Sequence, residues 1–66
     1  MNKGFYERYV KLRDKNHMTD YYVSQKTGIS RAAFTQWKHQ NTTPTRRTID
    51  TLAQFFGVNA LVFYED

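Results

Sequence analysis

Four residues close together in the chain, Arg31, Ala32, Thr35 and Gln36, are suited to recognising a planar, hydrogen-bonding surface. A guanidinium makes two parallel hydrogen bonds to paired acceptors, as on the edge of guanine. A carboxamide donates and accepts at once, which suits adenine, and a small methyl side chain packs on the methyl of thymine. On one helix these four share the outer face, toward its N-terminal end. On an arbitrary helix such a set is an ordinary polar surface face; it can read base edges only where a scaffold presents it to nucleic acid, and it does not suggest catalysis. Catalysis needs several polar groups converging in a pocket, and His17 and His39 are the only imidazoles here. With no cysteine and two histidines, neither a disulfide nor a zinc site is expected. The chain is expected to be no enzyme and to need no cofactor.

For those side chains to act together, residues 30–40 must form a helix held firmly on a scaffold. Ser30 is a good N-cap for it, and Thr19 is another for a preceding helix over residues 20–27. Gly28 stands between them, where a helix end usually requires a positive φ. Val23, Ile29, Phe34 and Trp37 fall where two crossed helices need apolar anchors, and Ser24 where they need a slim side chain. Residues 19–38 therefore predict a helix-turn-helix. Upstream, Phe5, Tyr9 and Leu12 mark one face of a helix over residues 2–15, widened by Tyr6 and Val10. Downstream, Ile49, Leu52, Ala53 and Phe56 mark a fourth helix over residues 45–56, ended by Gly57. Asn59 can cap a short fifth helix over residues 60–64. The prediction is an all-α, five-helix single domain spanning residues 1–66, its small core supplied with bulk by eleven aromatics.

In these features the chain resembles the phage Cro/repressor (XRE-like) family of helix-turn-helix DNA-binding proteins. The matching residues are Val23-Ser24, Gly28-Ile29-Ser30-Arg31, Phe34 and Trp37, then Pro44-Thr45, Ile49, Leu52-Ala53 and Gly57-Val58. The likeness runs from about Phe5 to Phe63. It implies a lambda-repressor-like fold with the helix at residues 30–40 in the major groove of an operator. Arg31, Ala32, Thr35 and Gln36 would then contact bases. Arg13, Ser30, Lys38, Asn41, Thr43, Arg46 and Arg47 would contact phosphates, although in the family an arginine placed like Arg13 can also brace the recognition helix. Arg46 and Arg47 sit in a helix's first turn, where cations oppose the dipole unless an anion joins them.

Three positions depart from the family pattern. Asp20 stands where relatives usually carry a glutamine bonded to a phosphate. A carboxylate favours the helix N-terminus but repels a phosphate, so a neighbouring tyrosine hydroxyl or Gln25 is expected to substitute. His17 replaces a common turn glycine. The loop over residues 39–44 is nearly neutral where relatives tend to be basic.

A net charge of +4 suits a polyanionic partner. The longest apolar run, Ala60 to Tyr64, is far short of the ~20 residues a membrane span needs. With no cleavable signal pattern at the N-terminus, a cytoplasmic location is expected. Phe63 suffices to close the core, which leaves Leu61, Val62 and Tyr64 for a small two-fold contact between copies, formed on DNA. The expected partner is double-stranded DNA, and the expected function a sequence-specific transcriptional regulator, Cro-like or repressor-like. The alternative is an antitoxin-like protein-interaction module, for which a long partner-binding tail is the expected sign.

Overall fold

The computed structural model describes residues 4–39 and 42–64. Its elements are α1 (Phe5–Lys15), α2 (Asp20–Thr27), α3 (Arg31–Lys38) and α4 (Arg46–Phe56), followed by one 3₁₀ turn at Ala60–Phe63. Local chemistry sets most of these limits. The hydroxyls of Thr19, Ser30 and Thr45 accept hydrogen bonds from the N–H groups of Tyr22, Ala32 and Thr48, which start α2, α3 and α4. Gly28 and Gly57 end α2 and α4 with φ of +78° and +71°, a conformation cheap only for glycine.

The turn between α2 and α3 is fastened by side chains as well. Ser24 donates its hydroxyl hydrogen to the Ile29 carbonyl at 2.5 Å. Thr27 donates to the Val23 carbonyl at 2.8 Å and accepts from the Ile29 N–H at 3.3 Å. A slim residue was expected at Ser24 for packing; its hydroxyl also ties the two helices together.

Phe5, Tyr9, Val23, Phe34, Trp37, Ile49, Leu52, Ala53 and Phe63 are buried in one core. Its aromatic members form a continuous series of ring contacts. Phe63 meets Phe5 at 5.5 Å between centroids, Phe5 meets Trp37 at 5.3 Å, and Trp37 meets Phe34 at 4.9 Å. From Phe34 the series continues to Tyr9, Phe56, Phe55 and Tyr22. Each such pair contributes roughly 0.5–1.5 kcal/mol beyond the area it buries. Because α3 supplies Phe34 and Trp37 to this series, the helix is rooted in the core by its inner face.

The predicted fifth helix is not formed. Residues 60–63 wind instead as a 3₁₀ turn, with i→i+3 bonds from the Val62 N–H to the Asn59 carbonyl and from the Tyr64 N–H to the Leu61 carbonyl. Asn59 caps it as expected, accepting from the Leu61 N–H at 2.9 Å. A 3₁₀ winding closes its first bond with fewer residues fixed than an α-helix needs, which suits a single short turn. Phe63 still reaches the core. The expected outer limits of the first and third helices, Asn2 and Gln40, lie outside the described residues.

His17 adopts the left-handed conformation with φ of +58°, alone among the described residues other than glycine. The chain thus keeps the turn that glycine would make and bears its steric cost, about 1–2 kcal/mol for a residue with a Cβ. His17→Gly should raise stability by about 1 kcal/mol, the extra backbone entropy of glycine offsetting part of the relief. Denaturant midpoints of the two proteins measure it.

Candidate nucleic-acid interface

The sequence of α3 alternates between anchoring and presenting. Ala33 is half-buried and Phe34 and Trp37 are buried, while Arg31, Ala32, Thr35 and Gln36 are all exposed. The four predicted base-reading residues therefore share one exposed face, running from the first turn of the helix to its sixth residue. Ser30 spends one lone pair on the Ala32 N–H at 3.1 Å, and its hydroxyl hydrogen remains to donate outward. The Arg31 guanidinium lies over the ring of Tyr21, 5.3 Å from its centroid. That contact crosses the turn between the motif helices. Two adjacent tyrosines on α2 gave the only hint of it in the sequence.

Of the predicted phosphate contacts, Lys38, Thr43, Arg46 and Arg47 are exposed, and Asn41 lies outside the described residues. Arg46 and Arg47 form the first turn of α4, which contains no acidic residue; the first turn of α3 contains none either. By contrast, α1 and α2 carry Glu7 and Asp20 in their first turns, where carboxylates complement the helix dipole. The whole stretch between Asp20 and Asp50 is free of carboxylates while holding Lys26, Arg31, Lys38, Arg46 and Arg47. Residues 21–49 thus carry five positive charges and no negative one, whereas the five cations of residues 1–20 share that stretch with three carboxylates. Arg46 also borders a shallow depression shared with Asp50, Asn59, Leu61 and Tyr64, so it adjoins the C-terminal apolar patch.

Arg13 stands apart from this set. Its guanidinium donates to Asp20 Oδ1 through Nη1 at 3.0 Å and to Asp14 Oδ1 through Nε at 3.0 Å. Asp20 accepts in addition from the hydroxyl of Tyr9 at 2.6 Å and that of Tyr6 at 3.2 Å. One carboxylate on the first turn of α2 therefore gathers three donors from α1. Burial alone would raise the Asp20 carboxyl, but the hydrogen bonds from Tyr9 and Arg13 and the charge of Arg13 outweigh it and hold the group below its ordinary range. Tyr9 is fully buried, and that burial together with the bond to Asp20 holds its phenol far above its ordinary value. Asp20 is an internal fastening of α2 to α1. The sequence offered a signal in Tyr6, Tyr9 and Arg13, which repeat at helical spacing along α1.

Leu61, Val62 and Tyr64 are 57%, 38% and 47% exposed. They form an apolar patch at the 3₁₀ turn, whose Phe63 is turned inward. No helix among the described residues is long and apolar enough to cross a membrane.

Searches of curated proteins and of solved structures found no match to this chain. A scan of family models did, over residues 10–60, with the Cro/C1-type HTH DNA-binding domain. That span takes in most of α1, the whole motif, α4 and the start of the 3₁₀ turn. With a capped helix-turn-helix, an exposed polar face on α3 and basic flanks all within it, the chain belongs to the family of Cro/C1-type HTH DNA-binding domains.

Proposed function

We propose that this domain is a sequence-specific transcriptional regulator, Cro-like or repressor-like, which binds an operator with α3 in the major groove. The observation that carries the reading is the exposed set Arg31, Ala32, Thr35 and Gln36 on the outer face of a helix rooted in the core. Arg31 takes guanine, Gln36 adenine and Ala32 a thymine methyl. Ser30, Lys38, Thr43, Arg46 and Arg47 hold the phosphates and fix the register. Arg13, with two carboxylates on its guanidinium, acts by bracing α2 rather than by touching the backbone. Two copies pair through Leu61, Val62 and Tyr64 and set two such helices about 34 Å apart along the duplex. A patch of three side chains is well below the area of a stable obligate dimer, so pairing occurs on the operator.

Selection of bound sequences from random duplex DNA tests the reading: a consensus with two-fold symmetry is expected. On that consensus, Arg31→Ala should lose about 1–3 kcal/mol of binding and relax preference at one base pair. Arg46→Ala should weaken binding to consensus and random duplex alike, and shrink the salt dependence by about one phosphate contact. Losses from Arg31→Ala that ignore sequence, or a selection with no consensus, would defeat it.

A further inference from the structure

We propose that Tyr21 is a positioning residue for base recognition: its ring holds the Arg31 guanidinium in place before DNA arrives. The inference rests on the reading of α3 as the base-contacting helix. Tyr21 is 55% exposed and takes no part in the core, so packing does not account for its ring. What the ring does meet is Arg31, at 5.3 Å. The two sit on either side of the turn that Ser24 and Thr27 fasten, which fixes the one against the other.

The choice of an aromatic partner has a chemical consequence. An arginine side chain free in water loses much rotameric freedom when it grips a base, and holding it beforehand removes part of that loss. A carboxylate could hold it too, but only by occupying its N–H groups, as Asp14 and Asp20 do for Arg13. A ring attracts the guanidinium through its face and leaves the N–H groups at the edge free to make a forked pair of bonds. Arg31 is therefore held and unspent. Among the described residues no carboxylate forms an ion pair with it.

The test compares wild type with Tyr21→Leu and Tyr21→Phe, each alone and combined with Arg31→Ala. On the selected consensus, Tyr21→Leu should lose about 2- to 5-fold in affinity, the range for an exposed cation–π contact. The loss should be confined to the base pair that Arg31 reads, with random-duplex binding and salt dependence unchanged. Tyr21→Phe keeps the ring and should keep the preference. In the Arg31→Ala background, Tyr21→Leu should do nothing further. In free protein, the Arg31 side-chain proton resonances should be ring-shifted in wild type and Tyr21→Phe but not in Tyr21→Leu. Equal losses from Phe and Leu would assign the effect to the hydroxyl and overturn the proposal. So would a loss that persists without Arg31, or unshifted Arg31 resonances. A wild type that selects no duplex at all would refute the functional reading, while the resonances still decide the stacking.

Discussion

Trp37→Ala is expected to remove about 3–5 kcal/mol of stability, the range for deleting a buried large aromatic. Trp37 is 5% exposed although it lies on the helix that carries the proposed reading face. Phe5 meets it nearly edge-on from α1, and Phe34 from its own helix one turn earlier. Removing the indole interrupts the ring series and leaves Phe34 against Tyr9 as the remaining aromatic contact between α3 and α1. A domain of this length has roughly 3–10 kcal/mol to lose in all, so the variant should melt far below wild type. Gln36→Ala, one residue away on the exposed side, should change stability by no more than about 0.5 kcal/mol. Denaturant titration followed by far-ultraviolet circular dichroism separates the two. A Trp37→Ala protein that melts within a few degrees of wild type would mean that the helix faces the other way.

The second large effect falls on Asp20. Asp20→Asn keeps the shape of the side chain and removes the charge that gathers Tyr6, Tyr9 and Arg13. At neutral pH this should cost about 1–2 kcal/mol, because the carboxylate is one-third exposed and solvent screens part of the interaction. The pH dependence gives the sharper signature. A carboxyl lowered by folding contributes stability above its unfolded value, near 4, and loses it as pH falls through the still lower folded value. Wild type should therefore weaken in acid faster than Asp20→Asn, with the two stability curves converging at the acid end. The Tyr9 phenol, raised by folding, works in the opposite sense: its contribution is complete below about pH 10 and declines above. Unfolding free energies of wild type and Asp20→Asn from pH 2 to 8 measure the first of these effects. Parallel curves across that range would show that the carboxylate does not hold α2.

What could be read in the sequence was whatever local chemistry decides. Thr19, Ser30, Thr45 and Asn59 cap because a hydroxyl or amide two or three residues before a free N–H will bond it, wherever the helix sits. Gly28 and Gly57 were legible for the same reason, and the two faces of α3 followed from its period. The roles that escaped depend on which helices meet. Asp20 looked like a misplaced charge because its partners lie 7 to 14 residues away on another helix. Tyr9 was legible as core, but nothing local says that a buried phenol has a carboxylate to donate to. Tyr21 and Arg31 are ten positions apart, and only the geometry of the turn brings ring and cation together. The 3₁₀ turn reads as a helix in the sequence because its side-chain pattern is the same over four residues.

An eight-residue helix such as α3 does not persist by itself; isolated helices shorter than ~12–15 residues are marginal in water. Its outward face therefore exists only while Phe34 and Trp37 are seated. In a genetic screen for lost operator occupancy, variants of the aromatic interior would score alongside those of Arg31 and Gln36, though they touch no nucleotide. Added operator would tell the two groups apart, since mass action draws a loosened but intact interface back to the folded state. Interior variants would be rescued by excess DNA or lower temperature, and reading-face variants by a compensating change of base.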